Sequence, residues 1–163
     1  MGRALWLRRE HEGAVSALDQ SVRLSPSYAL AHYALAMVHC QTGDPVRAIG
    51  AADIAAHLSP LDPMIFAIHG ARTFALLRLG RVQEAAEFAI RGGQQPNAHV
   101  HAHAIAALTL ATAGRIEEAH AERKRIIRLR PDYNFNQFKD AFHLLDDLRD
   151  IYQKAAKLVQ ISE

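Results

Sequence analysis

Three histidines at alternate positions, His99, His101 and His103, form the part of the sequence most similar to a metal-binding pattern. On a helix, His99 and His103 share a face, so two imidazoles could hold a metal ion, whereas His101 points elsewhere. A structural zinc site needs about four ligands, and the others would have to be His69, His120 or an acidic residue. We therefore expect no metal site, only a helix start whose histidines form hydrogen bonds or line a groove. A metal site at His99 and His103 is the alternative.

Residues suited to catalysis are scarce. His39 precedes Cys40, but adjacent residues on a helix point in different directions, and no Asp or Asn is fixed as a third member. Gly92-Gly93 lacks the Lys and the Ser or Thr of a phosphate-binding loop. We expect a protein that is not an enzyme and has no catalytic residue and no cofactor.

A basic run from Arg123 to Arg130 could bind phosphates. It lies at the predicted end of a helix, however, where the helix dipole favours cations, and Glu117, Glu118 and Glu122 precede it. The net charge of the chain, +2, argues neither for nor against nucleic acid. We interpret the run as a solvated convex face and expect no direct contact with nucleic acid.

The remaining bulk properties indicate a single unit of ordinary size. The 163 residues, half of them hydrophobic, can bury roughly two-thirds of the unfolded surface. A single cysteine cannot form an internal disulfide. The apolar stretch Ala4 to Leu7 has only four residues, too few for a signal peptide or a membrane span. These features predict a cytoplasmic protein with no membrane contact.

A trio of Gly, Ala and Pro recurs at nearly constant spacing and organises the chain. Its three copies are Gly43, Ala48 and Pro60; Gly80, Ala85 and Pro96; and Gly114, Ala119 and Pro131. A partial copy, Ala14 to Pro26, precedes them, and successive alanines are 34, 37 and 34 residues apart. A period near 34 residues is that of the tetratricopeptide repeat, a pair of helices that stacks on its neighbours.

Each unit predicts a helix that ends at Gly, a second helix, and a stop at Pro. Asp44-Pro45 and Asp62-Pro63 are typical helix starts, and Ser27 and Asn97 are candidate caps for the other first helices. The alanine, five residues after each Gly, permits close approach of the paired helices. Three extra residues before Gly80 predict that the first helix of that unit is about one turn longer.

The spacing divides the chain into about three and a half units followed by a cap. The predicted boundaries are a partial unit 1–26, full units 27–60, 61–96 and 97–131, and C-terminal capping helices over 132–163. In the last segment Leu144, Leu148, Ile151, Ala155, Leu158 and Val159 fall on one helical face. The first unit has little room for its first helix, which leads us to expect an upstream domain or a second subunit on that flank.

Several phrases are similar to the C-terminal tetratricopeptide regions of bacterial regulators that carry an adenylate or guanylate cyclase domain or a winged-helix DNA-binding domain. They are Arg23 to Pro26, His57 to Pro63, Leu79 to Ala86, Gln95 to His101 and Leu129 to Tyr133. The resemblance implies an all-α right-handed superhelix that acts as a regulatory protein-interaction module in signalling or transcription. None of the metal-binding carboxylates of the cyclases maps onto this chain.

In that family the first helices line a concave groove, which the resemblance implies for this chain as well. The partner groove would contain Tyr33, Met37, Gln41, Phe74, Arg78, His101, Leu108 and Thr112. Only Arg78 could grip a peptide carboxylate, so we expect an apolar helix as ligand, from another protein, the chain's own tail or a second subunit. Packing of Tyr33, Met37 and Phe74 between repeats is the alternative. For the function as a whole, a homodimerisation domain is a further alternative.

Overall fold

A computed structural model describes residues 1–161, which form ten α-helices and contain no strand. The helices are α1 (Gly2–Leu7), α2 (His11–Leu24), α3 (Ala29–Thr42), α4 (Pro45–Leu58), α5 (Ile65–Arg78), α6 (Val82–Gly93), α7 (Val100–Thr112), α8 (Ile116–Leu129), α9 (Phe135–Phe142) and α10 (Asp146–Leu158). In this part of the chain no helix is both long enough and apolar enough to span a bilayer.

Consecutive helices pack side by side in two layers. The pairs α3/α4, α5/α6 and α7/α8 make the most extensive contacts, and α4/α5 and α6/α7 join one pair to the next. The first helices α3, α5 and α7 also contact one another and form the inner layer. They are apolar around most of their circumference and are almost entirely buried, as expected for helices covered on two sides.

The recurring trio has the structural role that its spacing predicts. Gly43, Gly80 and Gly114 adopt positive φ angles of 90°, 71° and 78°, a conformation that costs a residue with a Cβ about 1–2 kcal/mol. The three alanines, Ala48, Ala85 and Ala119, are completely buried where the two helices of each pair meet. Both predictions are confirmed.

The predicted helix starts are correct in part. Asp44 caps α4 by accepting a hydrogen bond from the Arg47 backbone N–H at 3.0 Å. The predicted caps Ser27 and Asn97 are wrong, because α3 begins after Tyr28 and α7 begins after His99, whose ring accepts from the His101 N–H. Asn97 instead donates to the Pro63 carbonyl of the preceding connection.

The predicted lengthening of the third unit's first helix is also wrong. Helix α5 has 14 residues, the same number as α3. Two of the three additional residues lie in the connection over residues 59–64, where Asp62 accepts from the Met64 N–H at 2.7 Å, and the third is Leu79, between the end of α5 and Gly80. An Asx-type turn absorbs most of the insertion, since such a side-chain hydrogen bond satisfies the backbone outside a helix.

The segment predicted as a cap folds back over the inner layer. Helices α9 and α10, called here the C-terminal helix pair, contact each other, and α10 crosses α7 and α5. Leu148, Ala155 and Val159 are buried as predicted, but Leu158 is exposed, and Tyr152 is the largest completely buried side chain of the protein. Residues 162 and 163 of the predicted capping segment lie outside the described residues.

Helix α1 covers the other end of the inner layer. Gly2 fits against Leu18 of α2 so closely that a Cβ there would lie 2.6 Å from Leu18 Cγ. Trp6 donates from Nε1 to Gln41 Oε1 at 2.7 Å, and its ring contacts Tyr33 edge-on. Leu5 and Trp6 of the short apolar stretch thus pack against the core formed with α2 and α3, whereas Leu7 is exposed.

Candidate interaction groove

The centre of the inner face is filled by the C-terminal helix pair. Tyr152 of α10 lies edge-on to Phe74 of α5 and to Phe138 of α9, with ring centroids 6.0 Å and 5.4 Å apart. Its hydroxyl and that of Thr109 in α7 share a buried hydrogen bond of 2.9 Å. Burial raises the pKa of Tyr152, so the phenol is neutral and suited to this bond. The predicted groove residue Phe74 therefore packs against the chain's own tail.

The one predicted groove cation is already paired. Arg78, at the end of α5, donates from Nε to Asp147 Oδ2 of α10 at 2.8 Å. Its side chain is largely buried, and Gly43 leaves room for it, because a Cβ at that position would lie 3.4 Å from Arg78 Nη1. The Asp147 carboxylate thus occupies the site on Arg78 that the carboxylate of a bound peptide would need.

The other predicted residues of the C-terminal half are engaged within the chain. The ring of His101 forms a 2.8 Å hydrogen bond with the Tyr133 hydroxyl and contacts Phe142. Leu108 is completely buried, and Thr112 donates to the Leu108 carbonyl at 2.8 Å within α7. This half of the inner face presents little free surface.

Burial lowers the pKa of His101 to about 4, with smaller contributions from His99 and Arg130. The imidazole is therefore neutral at physiological pH, and its bond to Tyr133 joins two uncharged groups. Burial raises the pKa of Tyr133, and the positive charge of Arg130 opposes this only in part. The pair ties α7 to the chain that leads into α9.

Each histidine of the cluster has its own hydrogen-bond partner, although the rings of His99 and His101 lie edge-on with centroids 5.5 Å apart. His99 caps its own helix, and His103 Nδ1 bonds to Glu122 Oε2 of α8 at 2.8 Å in a buried pair. Within residues 1–161, no group of three or more His, Cys, Asp or Glu side chains is placed to hold a metal ion. His99 and His103, the two candidate metal ligands, thus already form hydrogen bonds within the protein.

The half of the inner face nearest α1 remains open. One recess of about 120 Å³ lies between α3, α5, α7 and Phe142, and a second of about 250 Å³ lies between α1, α3 and α9. Tyr33, Met37 and Phe142 line both, so the recesses adjoin. We call this surface the open strip; its outer residues are Leu7, Arg9, Met64, His99 and His143.

The predicted residues Tyr33, Met37 and Phe74 line the open strip, Phe74 from its side next to Tyr152. Gln41 lies at the edge of the strip, where its amide donates to the Phe142 carbonyl at 3.2 Å. Sequence reasoning did not include Phe142, Met64 or Leu7. Met64 was missed because it precedes α5 and lies outside the helical positions from which the groove was predicted. Phe142 could not be found from the repeat, since it lies outside the period.

The two other groups considered from the sequence do not form sites. Cys40 is buried and donates to the Ala71 carbonyl at 3.2 Å, and burial raises its pKa to about 12, so the reactive thiolate is suppressed at neutral pH. In the basic run, Arg125 pairs with Glu122, and Arg123 donates to the Gln160 carbonyl. Both arginines therefore contribute to local packing.

Comparison with known proteins supports the repeat assignment. Residues 1–63 match the family model described as tetratricopeptide repeat. The crystal structure of MamA superposes with a TM-score of 0.69 at 17% identity, covering 98% of this chain and 92% of MamA. YrrB, described as a TPR protein with an unusual peptide-binding site, superposes with a TM-score of 0.66 at 17% identity, covering 96% of this chain and 82% of YrrB.

No curated protein sequence matches the chain significantly. The similarity to the two solved structures extends over nearly the whole chain, whereas the family model covers its first 63 residues. The chain thus has the all-helical repeat fold seen in these solved structures, and its residues 1–63 are similar to the tetratricopeptide repeat family.

Proposed function

We propose that this protein is a non-catalytic scaffold that binds a peptide or helix of another protein at the open strip. The observation that carries the proposal is the adjoining pair of apolar recesses around Tyr33, Met37 and Phe142 on the inner face of a helical repeat. Exposed apolar surface with a concave shape is typical of protein-binding sites. The description of YrrB as a peptide-binding TPR protein supports the same role.

A ligand is not expected to displace the C-terminal helix pair and use the whole inner face. Phe135, Phe138, Leu148, Tyr152 and Val159 are all essentially buried. Burial of five such side chains contributes roughly 8–15 kcal/mol, at 1.5–3 kcal/mol each. The entropy of ordering the two helices offsets part of this gain, but a ligand that displaced them would first have to bury an equivalent apolar surface. The helix pair therefore acts as part of the domain, and the binding site is confined to the open strip.

The proposal is tested by affinity capture with charge substitutions at the two ends of the strip. Met64→Glu and Leu7→Glu place a carboxylate beside each recess, at side chains that are already exposed. Leu61→Glu is the matched control, because Leu61 is 94% exposed in the same connection as Met64 but lies outside the recess. We expect a specific partner to be retained by wild type and control and lost by both strip variants. Identical partner sets for all four proteins would refute the proposal.

The setting in a bacterial cyclase or transcription regulator is a finer proposal, supported by the sequence phrases between Arg23 and Tyr133. In that setting, a partner on the open strip would bias an output domain encoded in the same reading frame. Reading the genomic DNA upstream of Met1 tests it. An in-frame cyclase or winged-helix domain is the expected result, and a stop codon directly upstream would refute the setting.

Homodimerisation is a second candidate, because a shallow recess beside α2 is bordered by exposed apolar side chains. Leu24 and Tyr28 line this recess, and Leu24 is 80% exposed. Sedimentation at increasing concentration tests this candidate. A dimer that dissociates in Leu24→Glu is expected, whereas a monomer at all concentrations would exclude it.

A further inference from the structure

The open strip has a single permanently charged side chain in its lining, the cation Arg9. The other basic side chains that line its two recesses are His11, His99 and His143, and neither recess is lined by an Asp or a Glu. Burial lowers the pKa of His99, which keeps that imidazole neutral at physiological pH. The strip therefore presents an apolar floor with one fixed cation on its rim and no carboxylate.

The rim cation Arg9 is held in place by the fold. Arg9 lies just after α1 with a positive φ of 63°, and His143 lies just after α9 with a positive φ of 47°. Arg9 Nη2 donates to the His143 ring at 3.2 Å, which joins the two ends of the chain across the strip. An arginine has further N–H groups, and those of Arg9 stay available because the side chain is exposed.

The carboxylates near this rim do not neutralise it. Glu10, which follows Arg9, pairs with Arg8 at 3.4 Å, and Asp147 pairs with Arg78. A partner that approaches the strip thus meets the Arg9 cation without a matching intramolecular anion in the lining. Charge complementarity across an interface favours a partner of the opposite sign.

The size of the recesses indicates side chains of a peptide. Volumes of about 120 and 250 Å³ lie below the roughly 300–1,000 Å³ of small-molecule sites. Each recess has room for one apolar side chain, and because they adjoin across Met37 and Phe142, neighbouring side chains on one helical face could enter both.

We infer that the open strip selects an acidic amphipathic segment, with apolar side chains in the two recesses and carboxylates facing Arg9 and the His143 edge. This inference rests on the proposed function and specifies the chemistry of its partner. Arginine with a carboxylate forms charge-assisted, often bidentate hydrogen bonds, so the acidic residues set both orientation and affinity.

Selection from a phage-displayed library of random short peptides tests the inference. The baits are the wild type, the double variant Arg9→Glu/His143→Glu, and the control Arg8→Glu, whose exposed side chain pairs with Glu10 outside the recesses. The expected result is enrichment of acidic peptides with Leu, Phe or similar residues by wild type and control. The double variant should enrich neutral or basic peptides instead.

An enriched acidic peptide is then compared with its Glu→Gln analogue by fluorescence anisotropy. We expect the analogue to bind wild type about two- to fivefold more weakly, and the difference to shrink at high salt. Enrichment of neutral or basic peptides by wild type, or an unchanged preference in the double variant, would overturn the inference but leave peptide binding, and thus the proposed function, intact. Enrichment of no peptide would also overturn it, and the Met64→Glu capture experiment would then decide the proposed function separately.

Discussion

Replacement of Tyr152 by alanine measures how firmly the C-terminal helix pair belongs to the domain. Tyr152 is completely buried, contacts Phe74 and Phe138, and shares a hydrogen bond with Thr109. Removal of a buried aromatic ring costs about 3–5 kcal/mol, through lost burial and the cavity that remains. Tyr152→Phe keeps the ring and leaves the Thr109 hydroxyl without this partner, so it should cost only about 1–2 kcal/mol.

Denaturant unfolding, followed by circular dichroism and by tryptophan fluorescence, is the assay. Trp6 is the only tryptophan and packs against Tyr33 at the opposite end of the inner layer. If the helix pair is integral to the domain, both signals of wild type should give the same transition, and Tyr152→Ala should shift both equally. Coincident transitions are the mark of cooperative unfolding.

Lys154→Ala on the exposed face of α10 is the control and should change stability by less than about 0.5 kcal/mol. The reasoning would be refuted if Tyr152→Ala cost no more than this control. It would also be refuted by a separate early transition in wild type that leaves the Trp6 signal unchanged, because the helix pair would then detach on its own. A ligand could in that case reach the whole inner face.

Three further predictions concern individual residues. Because burial, aided by His99 and Arg130, lowers the pKa of His101 from 6.5 to about 4, the unfolded chain takes up this proton first. The contribution of His101 to the free energy of unfolding should not change above pH 6.5 and should fall by about 1–2 kcal/mol towards pH 4, a figure reduced for partial exposure. Thermal melts between pH 7 and pH 4 should show that His101→Asn removes this pH-dependent loss. Gly43→Ala, at φ 90°, should cost about 1–2 kcal/mol in denaturant unfolding, whereas Gly50→Ala, inside α4 with open space around it, should stabilise by about 0.5–1 kcal/mol; equal effects would contradict the conformational reason. The buried thiol of Cys40, with its pKa raised to about 12, should resist a thiol reagent such as DTNB at pH 8 and react at once in guanidinium, so rapid reaction of the folded protein would contradict its burial.

Much of the local structure could be predicted from the sequence because its causes are local. The positive φ of Gly43, Gly80 and Gly114 and the cap at Asp44 depend on residues only a few positions apart. The caps Ser27 and Asn97 were wrong, since several polar residues near a helix start compete for the same role and packing selects among them. The extra residues before Gly80 were also misplaced, because the spacing between repeats does not say whether an insertion lengthens a helix or a connection.

The candidate site illustrates which properties are not local. The repeat places Tyr33, Met37 and Phe74 on the inner layer, but it does not say what covers them. Phe142 reaches Gln41 over a separation of 101 residues, and Tyr152 packs on Phe74 from the other end of the chain. A helical period identifies the apolar face of a helix but not the surface against which that face packs.

By itself, the sequence determined the paired helices, their period and the inner layer, because glycine conformation, capping and apolar spacing act within a unit. Only the tertiary structure decided that the chain's own C-terminal helix pair fills most of that layer. Docking of α10 depends on the shape and burial of side chains contributed by several units, and these meet only after the repeats have stacked. The part of the inner face that this pair leaves uncovered is therefore the open strip around Tyr33, Met37 and Phe142.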